Sequence, residues 1–124
     1  MLLTDLISQK DVFYLSNTTS KKRLFQDISK HFSQILEIDN SHIFSCFQER
    51  EQLGHTGMGK GIAIPHARIE NIKNIRGMFI KLEKPIEFDS LDKQPVDLIF
   101  ALVAPREDST EHLKTLAKVS RLLK

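Results

Sequence analysis

Val96-Asp97-Leu98-Ile99-Phe100-Ala101-Leu102-Val103-Ala104 is a nearly continuous apolar run held between Pro95 and Pro105. A strand with one wet face alternates apolar and polar residues, whereas a strand covered on both faces does not. The run therefore predicts a central strand with one layer of structure above it and another below. Pro105 ends it, because proline offers no N–H to a ladder.

Working outward, Met78, Ile80 and Leu82 alternate with Phe79 and Lys81, the pattern of a second strand. Pro85 is expected to break it. The two strands are close enough in sequence to pair antiparallel, which predicts a mixed sheet. Ile62-Ala63-Ile64 reads as a third, short strand stopped by Pro65. Residues 1–19 read as a short apolar start and a loop. Ser16 to Ser20 leads to a helix cap, and Leu24, Phe25, Ile28, Phe32, Ile35 and Leu36 then fall at helical spacing. Asp39-Asn40-Ser41 caps a second helix that carries Ile43, Phe44 and Phe47, with Arg50 on its last turn and Gly54 to end it. Ser109 caps a last helix with Leu113, Leu116, Ala117, Val119 and Leu123 on its apolar face. The order helix, helix, strand, strand, strand, helix predicts an α+β fold of three layers, with a central mixed β-sheet flanked by helices on both faces.

The totals limit the function. A chain of 124 residues fits one domain. A net charge of +2 gives no argument for nucleic acid, and the dense basic run Lys21-Lys22-Arg23 reads as a solvated helix start. The single cysteine, Cys46, cannot form an internal disulfide, which fits a reducing compartment, the cytoplasm. Its place between Phe44 and Phe47 suits a half-buried, inert thiol. The N-terminus shows no leader pattern, and no apolar stretch approaches ~20 residues, so membrane insertion is not expected.

The five histidines differ in setting. His31 and His42 lie on helices and read as surface residues. His55 sits in Gly54-His55-Thr56-Gly57-Met58-Gly59-Lys60-Gly61, a stretch too rich in glycine for a helix or a good strand interior. It reads as a loop built for unusual backbone angles or close approach. His66 follows a strand end and a proline, where function often sits in α/β folds. His112 lies in the first turn of the last helix, where the dipole opposes a positive charge and the free N–H groups favour an anion. The histidines lack the spacing of a zinc site, Gly-x-Ser-x-Gly is missing, and Gly59-Lys60-Gly61 lacks the Ser or Thr of a phosphate-binding loop.

The segment from Arg50 to His66, with Leu-Gly-x-Thr-Gly-x-Gly-x-Gly-Ile-Ala-Ile-Pro-His at its heart, resembles the active-site segment of the fructose/mannitol-type enzyme IIA domains of the bacterial phosphoenolpyruvate-dependent phosphotransferase system. Pro85-Ile86-Glu87-Phe88-Asp89 through Asp92-Lys93-Gln94-Pro95-Val96-Asp97 is similar to the strand hairpin of that family, and His112-Leu113 to Leu116-Ala117 to its second-histidine helix. Phe88-Asp89 to Ala104-Pro105 reads most like the nitrogen-regulatory branch. His55 and Ala67 depart from the usual pattern beside the site. Family members usually continue past Lys124 as a helical segment, so 1–124 is expected to be a single domain lacking that segment.

The resemblance implies that His66 is phosphorylated on Nε2 by an HPr-type histidine phosphocarrier protein, with His112 and Arg50 as the other catalytic residues. Around them the backbone of Thr56, Gly57, Gly59 and Gly61 is expected to close on the phosphoryl group. No metal or nucleotide cofactor is implied. The donor is a protein, so a shallow pocket with an apolar rim is expected, with Met58 and Ile62 as rim candidates. Three functions follow as alternatives. One is a nitrogen-regulatory IIA that signals to target proteins by its phosphorylation state. Another is a sugar-specific IIA that passes phosphate to a IIB domain for fructose or mannitol uptake. The third is a non-catalytic binding module, like the related cytoplasmic domains of anion transporters.

Overall fold

The sequence starts and stops each helix by local chemistry. In the computed structural model, which describes residues 5–107 and 109–123, α1 spans Lys21–Leu36. The Ser20 side chain accepts from the Arg23 N–H at its start, and Glu37 closes it in the left-handed conformation. α2 spans Asn40–Leu53, and the Asp39 side chain accepts from the His42 N–H. Gly54 ends it with an extended backbone, not a left-handed one. α3 spans Ser109–Leu123, and the side chain of Ser109, the expected cap, is not among those described.

Six strands form one mixed sheet: β1 Val12–Leu15, β2 Gly57–Gly59, β3 Ile62–Ala63, β4 His66–Ile69, β5 Arg76–Ile86 and β6 Val96–Pro105. The order is β1-β5-β6-β3-β2, with β4 following β3 along the same edge of β6. β1 runs parallel to β5, β5 antiparallel to β6, and β3 and β4 parallel to β6. The central strand is β6, and its residues alternate between two cores. Ile99, Ala101 and Val103 join the larger cluster with Phe25, Ile28 and Phe32 of α1 and Ile43 and Phe47 of α2. Phe100, Leu102 and Ala104 join the smaller one with Val119 of α3. The three layers expected of the 96–104 run are those observed.

Three local expectations are corrected. The sheet has β1, β2 and β4 beyond the three strands expected. Gly57–Gly59 is a strand despite its glycines, because it needs only a short antiparallel ladder with β3, and the register shifts there. Pro85 does not break β5. A shift in the β5–β6 register between Lys81 and Ile86 accommodates it, since a bulge tolerates the missing donor. No described helix is long and apolar enough to cross a membrane.

Candidate functional site

His66 opens β4, where strand alternation sends Ala67 and Ile69 into the larger core and leaves His66 and Arg68 lining a pocket. The strand path along β6 is interrupted at Ile64-Pro65. The Pro65 carbonyl accepts from the Leu102 N–H at 3.0 Å, and His66 Nδ1 lies 2.9 Å from the Ile64 carbonyl oxygen. A carbonyl only accepts, so Nδ1 carries the ring proton. Nε2 is then the nitrogen with the lone pair, and Arg50 Nε donates to it at 3.1 Å. A guanidinium cannot accept, so this contact fixes the same tautomer from the other side. Arg50 is itself anchored, Nη1 donating to the Gly54 carbonyl at 2.8 Å where α2 ends.

His112 comes from the opposite layer. α3 places its ring 5.2 Å from that of His66, centroid to centroid, at an interplanar angle of 51°. It is 3% exposed, and its Nδ1 is buried without a hydrogen-bond partner. Burial pushes His112 down to about 4, with His66, Arg68 and Arg50 adding to the effect. Burial also holds His66 below the ordinary histidine value, offset by its bond to Ile64 and reinforced by Arg50. Both rings are therefore neutral at pH 7.

The pocket around them has a volume of about 530 Å³. Its cations are Arg50, Arg68 and Arg106, with Glu49 the acidic residue among the described lining side chains. Arg106 is ion-paired with Glu70 at 3.3 Å. Cys46 lines one wall as a half-buried thiol that burial pushes up, which suits an inert role. Leu53 and Leu113, 86% and 62% exposed, stand on the rim. An uncharged nucleophile among arginines, behind an apolar lip, suits transfer of an anionic group from a partner that docks on the lip.

The three residues His66, His112 and Arg50 meet at this pocket. The other four expected at the site do not line it. Thr56 is 4% exposed and turned toward Glu51, with its hydroxyl 2.6 Å from Glu51 Oε1. Gly57 packs so closely on Ser90 that a Cβ would lie 2.3 Å from its Oγ. Gly59 and Gly61, at φ +90° and +79°, lie against Asp92 and Asp97. The glycine hairpin is thus fitted to the 88–97 connection. Met58 and Ile62 are not among the residues lining the pocket either: Met58 packs against the smaller core and Ile62 is buried. His55 lies in a separate depression beside Glu51 and Gln52. His31 is not a surface residue, because its Nε2 is 2.7 Å from the buried carboxylate of Asp11. Sequence reading missed Arg68, Arg106, Leu53 and Leu113; the alternation of His66-Ala67-Arg68-Ile69 is the signal that would have found Arg68.

Known proteins resemble this chain in sequence and fold. A nitrogen regulatory protein of Bradyrhizobium diazoefficiens is 37% identical over 124 residues, covering 100% of this chain and 81% of that protein. The crystal structure of the nitrogen regulatory protein IIA-Ntr from Neisseria meningitidis superposes with a TM-score of 0.90 at 35% identity, over 95% of this chain and 81% of that one. The mannitol IIA of Escherichia coli shares the fold, with a TM-score of 0.75 at 15% identity over 93% of this chain and 81% of that one. The family described as phosphoenolpyruvate-dependent sugar phosphotransferase system, EIIA 2, matches residues 5–124, and this chain belongs to it.

Proposed function

We propose that the protein is a nitrogen-regulatory IIA that takes a phosphoryl group onto His66 Nε2 from an HPr-type histidine phosphocarrier protein. The observation that carries the reading is the double constraint on His66. Its Nδ1–H is committed to Ile64, so the Nε2 lone pair is the free nucleophile, and it faces the arginines. In the transfer, the phosphorus–nitrogen bond of the donor phosphohistidine breaks and a bond to His66 Nε2 forms. The donor ring recovers its lone pair, and no proton need move.

Arg50 must release Nε2 as the bond forms, and its guanidinium then has the phosphoryl oxygens within reach. Phosphoryl transfer asks the protein mostly for position and positive charge, which Arg50 and Arg68 supply. The neutral His112 is placed to donate from its ring to the same oxygens. The lip at Leu53 and Leu113 receives the carrier, and a cytoplasmic location fits that partner. The protein acts as a phosphotransferase in that it passes on or holds what it receives.

The similarity to proteins named as nitrogen regulatory supports this reading over a sugar-specific IIA. The test is to mix the chain with labelled phosphoenolpyruvate, enzyme I and the phosphocarrier. Label should appear on His66 and be lost in His66→Ala; label retained in that variant rejects the proposal. Transfer onward to a IIB cysteine, coupled to sugar uptake, would favour the sugar-specific alternative.

A further inference from the structure

Glu51 follows Arg50 on α2, and the chemistry above gives it no task. It is 7% exposed, an unusual place for a carboxylate unless its oxygens are occupied. They are. Oε2 accepts from the Thr56 N–H at 3.0 Å and pairs with Lys21 Nζ at 2.9 Å, while Oε1 accepts from the Thr56 hydroxyl at 2.6 Å. Lys21 is held in turn, 4.5 Å above the ring of Phe88 and 3.4 Å from its carbonyl oxygen.

Thr56 passes the constraint on. Its carbonyl accepts from the Ile64 N–H at 3.0 Å, and the Ile64 carbonyl accepts from His66 Nδ1–H at 2.9 Å. An unbroken path therefore runs from Lys21 through Glu51, Thr56 and Ile64 to the imidazole. Ile64 and Pro65 lie in the gap between β3 and β4, where β6 holds the Pro65 carbonyl through Leu102 but pairs with neither residue in register. The amide of Ile64 is held by Thr56, and the carbonyl of Pro65 by Leu102. Between these two anchors the Ile64 carbonyl is aimed at the ring.

We infer that Glu51 is the positioning residue that sets the tautomer of His66, acting through Thr56 and the Ile64 carbonyl to keep the proton on Nδ1 and the lone pair on Nε2. The importance of that tautomer rests on the reading of His66 as a phosphoryl acceptor, whereas the path itself does not. Adjacent helix residues then hold the same ring from its two sides, Arg50 at Nε2 and Glu51, at a distance, at Nδ1. A carboxylate is suited to this because it accepts from both Thr56 donors at once, which a Gln side chain cannot do with its NH₂ end.

The test reads the ring nitrogens of His66 by nitrogen-15 NMR at neutral pH in the unphosphorylated chain, so it does not depend on transfer. Arg50→Ala removes the constraint at Nε2, and there the Nδ1–H tautomer should persist. Adding Thr56→Val, which is nearly isosteric and leaves the Glu51–Lys21 pair intact, should let the Nε2–H tautomer appear. Thr56→Ser in its place should keep the wild-type form. In the otherwise wild-type chain, Thr56→Val and Glu51→Gln should each slow labelling about tenfold through misplacement of the nucleophile. A full Nδ1–H signal in Arg50→Ala/Thr56→Val overturns the inference, even if labelling slows, because Glu51 would then be only a loop staple. Should Glu51→Gln fail to fold, the Thr56 variants still decide. A wild-type chain that takes no label rejects the proposed function and leaves this result standing.

Discussion

Two histidine settings in this molecule use opposite electrostatics. His31, on α1, meets the buried carboxylate of Asp11 at 2.7 Å and packs edge-on to Phe13. Asp11 also accepts from the Ser8 N–H and hydroxyl and has Arg76 3.9 Å away, and burial is outweighed by these partners, so its carboxyl lies below its ordinary value. His66 and His112 instead face each other among Arg50, Arg68 and Arg106, with no carboxylate bonded to either ring among the described contacts. A carboxylate neighbour accepts the ring N–H and makes His31 a structural hydrogen-bond donor. Burial among arginine neighbours opposes the imidazolium and leaves a neutral ring with a free lone pair. Burial alone is common to both and does not tell them apart.

The sharpest way to break this contrast is to remove one ring from each setting. His66→Ala should lose all label in the phosphocarrier assay. His31→Ala should keep full labelling and lose about 2 kcal/mol of stability in urea unfolding, because Asp11 stays buried with fewer partners. Equal labelling losses in the two would erase the distinction. Arg50→Lys comes next. It keeps the charge but loses the planar fork that bonds both Nε2 and Gly54, so labelling should fall about a hundredfold. A lysine that restores the wild-type rate would mean that charge alone matters.

The pH dependence of stability separates the settings a third way. His112 moves from 6.5 down to about 4 on folding, so the unfolded chain binds more protons between those values. Its contribution is complete above 6.5 and is lost as the pH falls toward 4. Unfolding free energy should drop over that window by on the order of 2 kcal/mol, after discounting for screening at the pocket mouth. His112→Gln should remove that part of the slope. Asp11 acts lower: its contribution is present above its ordinary value of 3.8 and is lost only as the pH falls through its depressed folded value. A wild-type curve flat from 6.5 to 4 would contradict the burial of a neutral His112 beside these cations. The smallest effect is expected from Leu53→Asp, which should raise the KM for the phosphocarrier about fivefold with the His66 tautomer unchanged.

Much of this was legible before any coordinates, and the omissions have physical causes. β6 announced itself because a strand buried on both faces needs no partner to be recognised. α1 did so through its spacing and the Ser20 cap. β1 was not read as a strand because it has four residues at a sheet edge, with Val12 and Tyr14 exposed, and so carries little pattern. β4 was hidden by its own composition, since the polar half of its alternation is His66 and Arg68. With β4 unread, Arg68 had no face to belong to. His66 and His112 stood out by their local settings, but their roles and their meeting with Arg50 came from family resemblance, and a single sequence holds no other record that three such distant residues converge. The glycine segment was legible as unusual, but not in what it adjoins. Positive φ at Gly59 and Gly61 follows from local sequence, whereas contact with Ser90, Asp92 and Asp97 is set by the 88–97 connection.

The arginines beside His66 have a consequence for how such a carrier is read. Arg50 and Arg68 stand beside a neutral ring, so the unphosphorylated site presents positive charge behind the lip formed by Leu53 and Leu113. Under the proposed chemistry, a phosphoryl group would bring about two negative charges to that point. β4 is tied in register to β6, so the backbone under His66 has no reason to move as this happens. A partner would then meet the same contour in both states and distinguish them by the sign of the potential at its centre, so the message is written in charge and not in shape.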